Sequence, residues 1–266
     1  MRCPRLLLPV ALHAGLEVPL PPPVYHHAVT VLRLPDGAAC RVFDGRGQEH
    51  HATLRLDTRR SGRVCIGPVA ALPTTPALPL RLLQAIVRPD AMEFALQKAV
   101  ELGVREFQPV LCARSKSVAQ THTLERRQAH WQGILEAACA QCGRNEVPQL
   151  REPLPLAASL AALPAAGLRW FADFSGESGH VLGRESGVYP ASPGLPDAAV
   201  RPAASVPVAF LVGPEGGLQE EEITELRASG FRGLYLGPRI LRTETAAVVG
   251  LTLLQFRCGD LDRPPA

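Results

Sequence analysis

Lysine is almost missing from this chain: Lys98 and Lys116 are the only two in 266 residues. Positive charge therefore sits on arginine, whose planar guanidinium suits bidentate contacts to phosphate and base edges. A biased genome composition accounts for the shortage equally well. Aromatic residues are also few, with two Trp, three Tyr and eight Phe. Base stacking is thus not expected to dominate any nucleic-acid contact, which leaves phosphate contacts and shape. No uncharged apolar run reaches the ~18 residues of a spanning helix, so no membrane association is expected. The opening segment carries Arg2 and Arg5 ahead of an apolar stretch, but Pro4, Pro9 and His13 interrupt it. It reads as a first strand rather than a secretion signal.

Patterned cysteine is lacking too. The seven cysteines, at 3, 40, 65, 112, 139, 142 and 258, are odd in number and scattered. That favours free thiols in a reducing cytoplasm over a disulfide framework. Cys139-Ala140-Gln141-Cys142 is a lone C-x-x-C in a helical stretch, with no second pair and no flanking histidine, and small buried helix residues account for it. The pairs His26-His27 and His50-His51 fit no zinc spacing and read as surface or turn positions. No metal is expected.

What is present divides near residue 73. Residues 1–72 hold nine arginines against five acids, a net of +4, which leaves about −1 for the rest of a chain whose total is +3. The same stretch shows short alternating runs (VTVLRL, ACRVFDG, HATLRLDT, RVCIGPV) separated by Gly or Asp-Gly turns, the pattern of a small β-barrel or sandwich. After the Pro-rich linker Ala70–Pro79, strand-like and helix-like segments alternate, which predicts an α/β domain over 73–266 with a mainly parallel sheet. Strands are expected over Leu80–Val87, Phe107–Leu111, Arg169–Phe174, Val206–Val212 and Gly233–Leu236. Helices are expected over Met92–Leu102, Thr123–Cys142, Gln219–Ser229 and Thr243–Phe256. Residues 175–206 contain 14 Gly, Pro or Ser in 32, so they read as an inserted surface loop.

Two loops stand out: Gly213-Pro214-Glu215-Gly216-Gly217 and Leu236-Gly237-Pro238-Arg239-Ile240-Leu241-Arg242, each between an apolar run and a helix. The first has neither the Lys-Ser/Thr of a P-loop nor G-x-G-x-x-G. Its glycines permit close approach of a ligand to the backbone, while Glu215 also suits a helix N-terminus. In the second, amides and carbonyls lie beside Leu236, Ile240 and Leu241, so an adenine ring would find both hydrogen bonds and apolar contact. Thr243 is expected to cap the last helix through its hydroxyl.

Together, VGPEGG and LGPRILRTETA resemble the SPOUT methyltransferases, specifically the family that methylates uridine N3 in small-subunit ribosomal RNA. Leu96-Gln97-Lys98-Ala99, Arg114-Ser115 and Glu136-Ala137-Ala138 with Gly143-Arg144 agree, and HHAVTVLRL with VFDGRG is similar to that family's PUA-like barrel. The resemblance implies a PUA-like, RNA-binding barrel over 1–72 and a trefoil-knotted methyltransferase domain over 73–266. It further implies S-adenosylmethionine as methyl donor, 16S rRNA or the 30S subunit as partner, and a homodimer. Carried over residue by residue, the cofactor contacts fall on Leu211, Gly213, Gly217, Leu236, Gly237, Ile240, Leu241, Arg242 and Thr243.

The implied chemistry needs the N3 proton removed and the resulting charge on O2 and O4 stabilised. Arg144 is the candidate for the second task; Glu215, or water, is the candidate base. Arg2, Arg5, Arg33, Arg46, Arg114 and Lys116 are the candidates for RNA contact. A ribose 2′-O methyltransferase of the same superfamily and a non-catalytic ribosome-assembly factor are the alternatives.

Overall fold

Contacts divide the chain into two units: Met1–Thr75 with Glu136–Val147, and Pro76–Leu135 with Pro148–Ala266. The computed structural model describes residues 3–71, 74–115, 121–173 and 206–261. The inserted loop expected over 175–206 lies outside these residues, except for Val206.

The N-terminal unit contains β1 (Arg5–Leu7), β2 (Glu17–Pro19), α1 (Pro22–Tyr25), a π-helical turn (His26–Val31), β3 (Ala39–Phe43), β4 (Glu49–Leu56) and β5 (Gly62–Ala71). The strands form one sheet in the order β1-β3-β4-β5-β2, with β1 parallel to β3 and the other pairs antiparallel. Alternate residues such as Leu6, Val42, Leu54 and Val64 are fully or nearly fully buried in one core, as period-two patterning requires.

The expected strand VTVLRL is helical instead. Pro22 and Pro23 open α1 with φ already set for a helix, and the chain continues into the π turn. There Leu32 N donates to His27 O at 2.9 Å and Leu34 N to Ala28 O at 3.0 Å. Tyr25 and Ala28 enter the core, and this packing overrides the β preference of Val-Thr-Val. Nor is His50 at the surface: it is buried in β4, with Nδ1 3.0 Å from Gly67 O.

One arginine ties this unit together. Arg5 forks onto Glu49 through Nε–Oε1 (3.0 Å) and Nη2–Oε2 (2.9 Å). It also donates to the carbonyls of Cys139 (2.6 Å), Ala140 (3.2 Å) and Arg144 (3.0 Å). A cation thereby sits on carbonyls of a helix's last turn and of the residues just past it, where the helix end favours positive charge. Nearby, Asn145 is fully buried and takes up Thr74, with Oδ1 2.9 Å from both Thr74 N and Oγ1.

The C-terminal unit is built on seven strands, each paired parallel to its neighbour: β6 (Leu80–Ala85), β7 (Glu106–Leu111), β8 (Gln149–Leu150), β9 (Leu154–Pro155), β10 (Leu168–Asp173), β11 (Val208–Val212) and β12 (Arg232–Tyr235). The order is β12-β10-β11-β6-β7-β8, with β9 also on β7. The helices are α2 (Pro89–Glu101), α3 (Thr121–Cys142), α4 (Leu156–Ala161), α5 (Glu220–Ala228) and α6 (Thr243–Cys258). The division between the units falls within α3.

Every residue of β11 is buried, the continuous apolar run of a parallel strand covered on both faces. Leu83, Leu211, Leu226 and Leu156 share a core on one face. On the other, α6 lies so close that a Cβ at Gly250 would fall 2.1 Å from Phe210 Cζ. The end of α2 is held from α6: Gln255, fully buried, donates through Nε2 to Leu102 O at 2.7 Å. Among the described residues no helix is long and apolar enough to cross a membrane.

Gly250→Ala should therefore destabilise the chain. Overpacking against the Phe210 ring costs about 1–3 kcal/mol and outweighs the ~1 kcal/mol that alanine gains in helix propensity. Urea denaturation reads the difference; an unchanged or raised midpoint contradicts the close contact.

Candidate active site

In a parallel sheet, ligands bind beyond the carboxyl ends of strands where the order reverses. Here the chain runs from β6 to β7 on one side, whereas β11, on the other side of β6, leads to β10 and β12. The carboxyl ends of β6 and β11 are that switch point, and both loops picked out in the sequence meet there.

They are joined by one hydroxyl. Thr243 Oγ1 donates to Gly213 O at 2.8 Å and accepts from Gln84 Nε2 at 3.0 Å. Thr243 is 5% exposed and Gln84 is fully buried. The expected capping role of Thr243 is thus corrected. Arg242 occupies the N-cap of α6, no side chain caps it, and Thr243 is the first helical residue. Its hydroxyl holds the other loop instead, because a buried carbonyl at Gly213 needs a donor. Gln84 Oε1 is a buried acceptor without a hydrogen-bond partner among the described residues, the kind of group that a ligand or water satisfies.

The first loop is braced from three further directions. Glu215 Oε1 accepts from Arg88 N at 3.2 Å and lies 3.5 Å from Arg88 Nε. Arg114 Nη1 donates to Gly216 O at 2.7 Å. Glu222, buried in the first turn of α5, accepts from Gln219 N and from Ala113 N, both at 2.8 Å. With Gln219 it forms a capping box. The same carboxylate and burial push the Cys112 thiol up to about 12, burial being the larger cause.

The second loop is open. Gly237 has φ +103°, and a Cβ there would meet nothing within 4 Å. Leu236 and Leu241 are half-buried, while Ile240 is 90% exposed. Leu211 is fully buried in β11, and Gly217 takes φ +72°. The candidates from Leu211 to Thr243 are thus gathered at one end of one sheet.

The remaining candidates separate. Arg144 follows Gly143 (φ +99°), belongs to the N-terminal unit and is 8% exposed. Arg5 is committed to Glu49 and helix carbonyls, and Arg114 to the first loop. Arg33 (φ +54°) and Arg46 are exposed, with no side-chain partner among the described residues. Arg2 and Lys116 lie outside the described residues. All seven cysteines are free. Burial pushes Cys139 up to about 12, against the opposing pull of Arg144 and Arg5, so Cys139 is not a reactive thiolate. Among the described residues no cluster of His, Cys, Asp or Glu suits a metal ion.

Gln84, Arg88 and Glu222 were not among the sequence candidates. Gln84 had a legible signal: it is the lone uncharged polar residue in the apolar run Leu82–Val87, and an interior polar group calls for a partner.

Two family models match this arrangement, an RNA methyltransferase domain over residues 74–255 and an RNA methyltransferase PUA domain over 20–61. The fold and the site define a SPOUT-class RNA methyltransferase carrying a PUA-like unit. More narrowly, the chain belongs to the ribosomal RNA small subunit methyltransferase E family. It is similar to the crystal structure of that protein from Neisseria gonorrhoeae bound to S-adenosyl methionine, at 31% identity and TM-score 0.83, covering 98% of this chain and 100% of that one. A Legionella pneumophila methyltransferase structure in complex with the same cofactor is 30% identical, with TM-score 0.84 and the same coverage. Ribosomal RNA small subunit methyltransferase E of Bacillus subtilis is 29% identical over 241 residues, 87% of each chain.

Thr243→Val keeps the shape but strands the Gly213 carbonyl and leaves Gln84 Nε2 only the carbonyl of Ala85, 3.2 Å away. We expect a loss of about 1–3 kcal/mol, read by urea denaturation, with Thr243→Ser much closer to wild type. A valine variant as stable as wild type contradicts the bridge.

Proposed function

We propose that this chain methylates N3 of a uridine in 16S ribosomal RNA, with S-adenosylmethionine as donor. The observation that carries this reading is the pair of backbone-rich loops joined through Thr243 at the switch point. Both solved relatives described above hold S-adenosylmethionine. The residues present fit that cofactor. Gly237 leaves its backbone open to a ligand, Ile240 and Leu241 offer apolar surface to a ring, and Gln84 Oε1 is a buried acceptor at the root of the loops. Leu211, Gly213, Gly217, Leu236, Gly237, Ile240, Leu241, Arg242 and Thr243 would hold it. When bound, S-adenosylmethionine supplies an electrophilic methyl group on a sulfonium.

The chain must then manage the uracil. Loss of the N3 proton leaves negative charge shared with O2 and O4, and a fixed cation stabilises it as it develops. Arg144 fills this role. Its backbone is held by Arg5, and Asn145 beside it is anchored on Thr74, so the main chain that carries the guanidinium is fixed. Glu215 is already engaged by Arg88; it secures the first loop, and the proton passes to water.

RNA capture falls to Arg33 and Arg46. The functional form is a homodimer in the cytoplasm. Phe256 (51% exposed) and Phe94 (44%) are apolar surface that a second copy would cover.

The test is transfer of labelled methyl groups to unmodified 30S particles and to free 16S rRNA, with the product nucleotide mapped. N3-methyluridine is expected, from a protein whose mass by light scattering is that of two chains. A ribose-methylated product or no transfer contradicts the reading. Arg144→Ala and Arg144→Lys should keep cofactor binding by calorimetry yet lose about 10²-fold or more in turnover; unchanged turnover removes Arg144 from the mechanism.

A further inference from the structure

At the end of the C-terminal sheet opposite the loops, the first residues of β6, β7, β8, β10 and β11 border a cavity of about 350 Å³. Its wall carries Arg81, Arg105 and Arg169 but a single carboxylate, Glu106. That carboxylate is already shared. Glu106 Oε1 lies 2.5 Å from Arg81 Nη2 and 2.9 Å from Arg151 Nε, and Oε2 accepts from Arg151 Nη2 at 3.1 Å. Arg169 is fixed by carbonyls, donating to Ser229 O at 2.6 Å and Pro164 O at 2.5 Å. Carbonyl dipoles orient the guanidinium without cancelling its charge. Arg105 is exposed and has no side-chain partner among the described residues. Three guanidiniums therefore line the cavity beside one carboxylate, which Arg81 and, from outside the lining, Arg151 already pair.

Part of the wall is main chain alone. Gly167 has φ +151°, and a Cβ there would come within 2.8 Å of Pro207 O, so the wall at that point is bare backbone. A concave surface with an excess of positive charge focuses the field on an incoming anion, and guanidinium forks match the oxygens of a phosphoryl group.

We propose that this cavity binds a phosphoryl group, separately from the cofactor loops, with Arg105 making the contact and Arg81 and Arg169 setting the field. The group is either a backbone phosphate of the RNA substrate, which rests on the function proposed above, or a phosphate compound free in solution, which does not.

The test uses the full chain and its Arg105→Glu, Arg105→Ala and Arg105→Lys variants. Binding of a 16S rRNA fragment is measured from 50 to 200 mM salt, and binding of inorganic pyrophosphate and S-adenosylmethionine by calorimetry. If RNA is the source, Arg105→Glu weakens rRNA binding roughly tenfold and Arg105→Ala flattens the salt slope by about one unit. Arg105→Lys then restores most of the affinity, and S-adenosylmethionine binding stays as in wild type. If the source is a free compound, pyrophosphate binds saturably and is lost in Arg105→Glu while rRNA binding does not change. Neither ligand responding to Arg105 overturns the proposal. Arg105-dependent pyrophosphate binding in a wild-type chain that binds no S-adenosylmethionine would sink the methyltransferase reading and leave the cavity standing.

Discussion

The hydroxyl of Thr243 is the constraint on which the site depends. It sits between Gln84 at the end of β6 and Gly213 at the end of β11, and it begins α6. Three segments far apart in sequence thus converge on one buried oxygen. A polar group in the interior costs free energy unless it is paired, so these partners are held in a definite arrangement. The amide of Gln84 must present its nitrogen to the hydroxyl, because the hydroxyl's own proton goes to Gly213 O. Its remaining oxygen is the acceptor left over at the root of the two loops.

Around that point the loops differ in kind. The first is clamped by Arg88 and Arg114, with Glu222 holding Ala113 next to Arg114. The second offers an open backbone at Gly237 and a nearly bare isoleucine at 240. A rigid wall facing an accessible one suits a ligand that inserts against the first and is covered by the second. A chain so poor in lysine also divides its arginines by task. Arg5 ends a helix and pairs with a buried glutamate, Arg88 and Arg114 brace a loop, and Arg33, Arg46 and Arg105 project without side-chain partners among the described residues.

The alternation of strands and helices beyond residue 80 was legible because each element carries its own period, and a fully apolar strand such as Val208–Val212 needs no partner to be recognised. The two loops were legible because Gly, Pro and exposed apolar residues recur there without a packing reason. Other features were not. Val29-Thr30-Val31 has strand-like side chains, and only the packing of Tyr25 and Ala28 into the core makes the segment helical. Thr243 reads as a cap from its position, but its tertiary neighbour Gly213 outcompetes the local helix end. The grouping of residues 136–147 with the N-terminal unit depends on Arg5 and Thr74, both distant in sequence. Arginine identity says nothing by itself about whether a guanidinium is spent on carbonyls or left for phosphate.

The central claim is that both loops, locked together through Thr243, form one S-adenosylmethionine site. Amide hydrogen exchange with and without S-adenosylmethionine tests it most directly. Leu211–Gly217 and Leu236–Thr243 should become protected together, at the same ligand concentration, with no comparable change at the opposite end of the sheet around Arg105. Protection of only one loop, or of neither at saturating S-adenosylmethionine, would contradict the account.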